Sequence, residues 1–302
     1  MYPRQAYWLA VGLVCLALVI FIYKITVLKL PIRPDTTVDV WDVEVQVTFQ
    51  AQKQPVKVGL YLPQTFGRFD IVDEHFISGE YGLAIHQFAY NRKATWSQRH
   101  ASGKQYLLYK ATVRPNLRAD RRSAGKEPKP VTPEYSGAKL VAATHIFNSV
   151  RKRSADDETL VGLLLTELAS NTRDENLQLL LEKNKTDAHR AQVAVAVLSV
   201  GGIPAQVVHG VDLKPLTRKA ERVHWLEVFY QGKWHEFNVK DGSQNLPEHY
   251  LAWWRGDKPL LTVDGGLNPY SKISITINPQ FALQQQQYLG QSGQSKLLEY
   301  SL

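Results

Sequence analysis

Residues 185–210 read KTDAHRAQVAVAVLSVGGIPAQVVHG, and how they fold decides the architecture around them. The alanines and valines of residues 188–200 follow one another too closely for a helix with one wet face. A helix here must be buried on several sides. The glycine pair at 201–202 stops it, and IPAQVV restarts the chain as a strand. Thr186 and Asp187 open it. A hydroxyl suits the capping position and a carboxylate the first turn, worth roughly 0.5–2 and 0.3–1 kcal/mol respectively. Neither is a thiol.

Outward from this stretch, RVHWLEVFY (222–230) and KWHEFNV (233–239) read as strands joined by a turn at Gln231 and Gly232, and SKISITINP (271–279) as another. On the N-terminal side GAKLVAATHIFNSVRKR (137–153), DDETLVGLLLTELAS (156–170) and DENLQLLLEK (174–183) place apolar residues at spacings of three and four, which predicts three helices. Helices followed by a central buried helix against antiparallel strands give an α+β domain over residues 137–280. Before it, TVDVWDVEVQVTF (37–49), PVKVGLYLP (55–63), YGLAIHQFAYN (81–91) and, after a polar turn HASG (100–103), KQYLLYKATVRP (104–115) predict a β-rich domain over residues 31–115. Trp41 and Trp96 suit its packing better than a ligand platform.

The chain of 302 residues carries a net charge of +8. Much of the excess lies from Arg114 to Arg153, including Arg118, Arg121, Arg122, Lys126 and Lys129. Its first half is rich in Pro, Gly and Ser, so residues 116–136 read as a solvated linker. No aromatics interleave with these arginines, which argues against nucleic acid. The sole cysteine, Cys15, leaves the rest of the chain without a disulfide, a thiolate metal site or a thiol nucleophile. Residues 1–30 read as a membrane anchor. YWLAVGLVCLALVIFIY (7–23) is uncharged and spans roughly 25 Å as a helix, with Tyr7, Trp8 and Tyr23 at its ends as interfacial aromatics. Counted alone, Lys24, Lys29 and Arg33 favour a cytoplasmic domain. Residues 281–302, rich in Gln, Ser and Gly, read as a flexible tail or the lead-in to a membrane region.

The order of a buried helix ending in Gly202-Ile203-Pro204-Ala205, a strand carrying Trp225, Glu227 and Val228, and a strand carrying Gly232, Trp234 and Asn238 resembles the transglutaminase-like (papain-like) domain. That resemblance implies a cysteine at the helix start, a histidine two residues before the tryptophan, and an aspartate or asparagine on the next strand. Those positions fall here on Asp187, Val223 and Asn238. With the membrane span and the β-rich segment, the chain resembles the bacterial family called inactive transglutaminase fused to seven transmembrane helices, here without the C-terminal bundle. The resemblance implies an inner-membrane protein with its soluble domain in the periplasm, against the charge count, and an association with ATP-grasp peptide ligases.

No catalytic residue is expected, Asp187, Val223 and Asn238 being relic positions. A threonine hydroxyl is protonated at neutral pH, and an aspartate attacks amides poorly. His224, one residue late, is expected to turn away from the start of the helix together with Leu226 and Val228. Thr186, Asp187, Trp225 and Asn238 are expected to line a groove for a peptide, wall fragment or partner protein. His189, His209, His224 and His235 with Glu227 or Glu236 show no metal-ligand spacing, so no metal or cofactor is expected. The alternatives are a hydrolase or acyltransferase with a non-cysteine nucleophile, and a structural module for membrane-protein assembly.

Overall fold

The computed structural model describes residues 40–64, 68–116, 131–170, 174–182, 184–214 and 220–277, with isolated positions 12, 16, 23 and 128. Apart from those isolated positions, the expected anchor, the arginine-rich part of the linker and the tail lie outside the described residues. Among the described residues no helix is long and apolar enough to cross a membrane. The chain divides into Met1–Val38 and Asp39–Leu302, and the strands and helices named below lie in the second unit.

Two very long strands, β1 (Trp41–Leu62) and β4 (Arg92–Pro115), pair antiparallel from Trp41 opposite Val113 to Leu62 opposite Arg92. The sequence pattern suggests breaks in both, at AQKQP and at HASG. These two stretches instead face each other, Ala51 opposite Gly103 and Gln54 opposite Ala101, where the register shifts. Lys53 takes a φ of 57° there. The breaks are one bend in a continuous ribbon, because bulges and turns draw on the same residues. On one side of the bend β10 (Gly266–Ile277) and β2 (Phe69–Ile77) flank the ribbon, and on the other β9 (Leu261–Asp264) and β3 (Gly82–Gln87) do. The strands β9 and β10 fall within the expected 137–280 domain, yet both pair with β1.

Period-two burial puts Val43, Val45, Val47 and Phe49 inside, with half-buried residues between them. Trp96, Tyr109, Leu60 and Leu107 complete this core, together with Trp253. The Trp253 indole donates to the Tyr61 carbonyl at 2.7 Å.

Four helices follow: α1 (Gly137–Arg153), α2 (Asp157–Ala169), α3 (Glu175–Leu181) and α4 (Asp187–Val200). Asp156 and Thr159 form a capping box that starts α2. A second sheet, in the order β7-β6-β5-β8, is antiparallel. Its strands are β5 (Ala205–Asp212), β6 (Glu221–Tyr230), β7 (Lys233–Asn238) and β8 (Tyr250–Arg255). Between helices and sheet lies a core of Leu160, Leu164, Leu165, Val193, Val197, Val207, Leu226, Val228 and Phe237. Each such side chain contributes about 1.5–3 kcal/mol by leaving water.

The opening stretch behaves as its pattern demands. In α4, Ala191, Val193, Ala194, Ala196, Val197, Leu198 and Ser199 are all buried. The end of α4 is a Schellman turn, in which Ile203 N–H bonds Leu198 C=O at 3.1 Å and Gly202 N–H bonds Ser199 C=O at 3.1 Å. Gly202 has a φ of 69°. A Cβ at Gly201 would sit 2.0 Å from the Phe147 ring. Each glycine of the pair thus answers a different constraint.

Candidate functional site

Thr186 caps α4. Its hydroxyl oxygen accepts from His189 N–H at 3.4 Å while its own O–H donates to Asn184 Oδ1 at 2.8 Å. Asp187 is held by two cations, Arg190 Nη1 at 3.0 Å and Lys240 Nζ at 3.9 Å. Lys240 arrives from the turn after β7, which Asn238 shapes. Asn238 Oδ1 accepts from Lys240 N–H at 3.1 Å and its carbonyl from Gly242 N–H at 2.8 Å. Asn238 is therefore engaged with its own turn.

His224 does not turn away from the helix. It shares a face of β6 with Leu226 and Val228, as alternation requires, but these two pack into the helical core. The field of Asp187 reaches the His224 ring. The expectation fails because both faces of β6 mix apolar residues with a polar one, Glu227 on one and His224 on the other, so its pattern gives no sign of which face meets α4. Directly across the sheet lies His209, whose Nδ1 is 2.8 Å from His224 Nδ1. His209 Nε2 is 2.8 Å from the Gly256 carbonyl oxygen, and its ring stacks on Trp254 at 4.3 Å. A carbonyl only accepts, so His209 Nε2 carries a proton. With both rings neutral, His209 Nδ1 then accepts from His224 Nδ1–H, and the lone pair of His224 is left on Nε2. Burial, reinforced by His209, holds His224 down at about 4 against the upward pull of Asp187. Burial likewise lowers His209, with the Gly256 hydrogen bond opposing it.

Val223, Trp225 and Glu227 occupy the other face. Trp225 is only 2 % exposed, packs with Val208 and Val223, and stacks on Tyr250 at 6.2 Å. It stands opposite Asn238 on β7. Its indole N–H is buried with no hydrogen-bond partner among the described residues. A side chain this buried packs the sheet and cannot form the wall of an open groove. Glu227, 3 % exposed, accepts from Arg255 Nε at 2.8 Å, Arg255 Nη2 at 2.7 Å and Gln206 Nε2 at 2.8 Å. Its cross-strand neighbour Glu236 pairs with Arg68 at 2.6 Å.

Of the residues weighed as metal ligands, His209 and His224 meet, whereas Glu227 and Glu236 lie on the opposite face. Among the described residues no group of three or more His, Cys, Asp or Glu is placed to hold a metal. Lys240 and the His209–His224 contact were not foreseen. Arg190, three residues after Asp187, carried a readable signal in its helical spacing.

A central helix packed on an antiparallel sheet is the arrangement that the resemblance implies. The family model described as "Inactive transglutaminase fused to 7 transmembrane helices" matches residues 23–184, more than half of the chain, and the chain belongs to that family. The match ends just before α4, so it stands on the β-rich segment and the first helices. A solved structure from Cytophaga hutchinsonii, described as a "Putative Cysteine Protease", aligns with a TM-score of 0.52 at 12% identity. It covers 80% of this chain and 98% of that one, a likeness of fold. A second, described as a "putative protease" from Parabacteroides distasonis, gives a TM-score of 0.26 at 10% identity over 64% of this chain and 42% of that one. No curated protein matches the chain.

Proposed function

We propose that this chain is a catalytically silent transglutaminase-like module that binds a peptide or protein partner at a membrane. The observation that carries the reading is the state of Asp187, which stands where the resemblance expects a cysteine. Arg190 and Lys240 hold its carboxylate, and among the described residues no histidine nitrogen lies within ion-pair distance of it. His224 is bonded sideways to His209. A carboxylate is a poor nucleophile toward an amide, and one neutralised by two cations is poorer still.

The binding face in this reading is the start of α4, with Thr186, Asp187, Arg190, Lys240 and the Nε2 of His224. Trp225 and Asn238 support it from beneath rather than touching the partner. Residues 7–23, uncharged and apolar, serve as a single inner-membrane span with the folded unit on the periplasmic side. The family's membrane helices support the membrane setting, and the side rests on the resemblance alone. The partner belongs to a peptide-ligase system of the ATP-grasp type, either the ligase or the peptide it makes, a link that rests on the resemblance alone.

The test uses the full chain. Glutaminyl peptides should be neither hydrolysed nor cross-linked to amines above the blank. Turnover that Asp187→Ala abolishes would overturn the silent assignment. A peptide or protein that co-purifies with the wild type should be lost from Asp187→Lys. Equal recovery on both would remove the binding face.

A further inference from the structure

We propose that β3 is the edge through which two copies of this chain pair, independently of the function proposed above. The strand bonds to β4 on one side, and all six of its residues are exposed. Each of the other edge strands among the described residues carries at least one charged side chain: Asp70, Asp73 and Glu74 on β2, Lys272 on β10, Asp264 on β9, Lys233 and Glu236 on β7, and Arg255 on β8. Such charges keep edges from pairing with other chains. The sequence of β3, GLAIHQ, has no Lys, Arg, Asp or Glu.

Its apolar side chains are also unfinished business for the core. Leu83 lies opposite Trp96 and Ile85 opposite Ala94, both on the buried face of the large sheet. Those two rows run through Val58 and Leu60, all at 0% exposure, yet end at Leu83 and Ile85 with 37% and 46% of their surface open. Phe88, just beyond, is 53% exposed. A strand added outside β3 would extend both rows.

The backbone parity sets the register in which a second copy fits. Phe88 N–H bonds Asn91 C=O at 2.7 Å across the turn, and the β3–β4 register is unbroken. Residues 86, 84 and 82 therefore spend their N–H and C=O groups on β4, and those of Leu83, Ile85 and Gln87 point outward. A second β3 running antiparallel about a twofold axis at Ala84 satisfies this pattern from both sides. Leu83 and Ile85 of each copy then exchange hydrogen bonds and pack side by side, Ala84 faces Ala84, and Gly82 faces His86. No like charges oppose each other. The contact is isologous and closed, so it stops at two chains. Six residues a side bury less than the roughly 1,200 Å² of a stable interface, so the pair forms reversibly and depends on concentration.

The test is a disulfide at the axis in the full chain, with the sole cysteine removed by Cys15→Ser. At a position facing itself without hydrogen bonds the Cα atoms lie about 4.5 Å apart, within disulfide reach. Ala84→Cys should therefore give a covalent dimer under mild oxidation. His86→Cys, about 13 Å from its copy in this register, should stay monomeric. Adding Ile85→Lys to Ala84→Cys should abolish the dimer while leaving the melting temperature unchanged, because residue 85 is exposed in the single chain. A monomeric Ala84→Cys, cross-linking of His86→Cys to the same extent, or capture of a different protein instead of a second copy would overturn the proposal.

Discussion

The two faces of β6 bury groups that water would charge, and they do so by opposite means. On the outer face, Glu227 and its cross-strand neighbour Glu236 each have an arginine, Arg255 and Arg68 respectively. On the helix face His224 bonds to His209, with no counterion in contact among the described residues. One face stays charged by pairing and the other stays neutral by sharing a proton along a fixed chain of tautomers. A charged cluster of this sort fastens elements together: Arg68 precedes β2, and Asn91, from the turn before β4, bonds the Arg255 backbone at 2.8 and 2.9 Å. A neutral pair with an open lone pair instead keeps a proton acceptor beside α4.

The largest effect should come from breaking the charged face. Arg255→Ala leaves Glu227 buried and unpaired, and should destabilise the chain by about 3–5 kcal/mol in urea unfolding. Adding Glu227→Gln should restore part of that loss, since no charge is then stranded. Next is the response to acid. An unfolded imidazole titrates near 6.5, whereas the folded His224 refuses a proton until about pH 4. Between those values the unfolded chain binds more protons, so stability falls as pH drops through the window. The slope is at most about 1.4 kcal/mol per pH unit for each proton, reduced here because the ring keeps partial contact with solvent. Urea midpoints between pH 4 and pH 7 measure it, and His224→Gln should flatten the curve. The smallest effect isolates Asp187, which pulls His224 upward. In Asp187→Asn the His224 ring, followed by NMR, should titrate below its wild-type midpoint with little change in stability at neutral pH.

Much of the fold was legible because local chemistry and burial agree. The capped helices, the buried α4 with its glycine pair, and the hairpin at Gln231 and Gly232 all follow from short patterns. The strand β2 was not legible. FDIVDEHFI carries three carboxylates, and pairing with β4 overrides that weak propensity. Nor was the return of β10 to β1, since partners separated by more than 200 residues leave no local mark. At the site the residue types at Thr186 and Asp187 suggested their roles as cap and first-turn acid, and both have them. The orientation of His224 was beyond reach because VHWLEVF carries apolar residues and one polar residue on each side. The burial of Trp225 was missed for a related reason. A tryptophan beside a lost active site suggests a wall, and only the packing of Val208 and Tyr250 shows it is filled in.

The pairing of Trp41 with Ile277 has a mechanical consequence. The first and the last of the described strands meet on one rung of one sheet, as neighbours. Tension between the two ends would act along the direction of the hydrogen bonds and open them one rung at a time, as a zipper does, instead of loading all of them in shear. The first segment to yield under force would be β10, leaving β1 still held by β4 along its whole length.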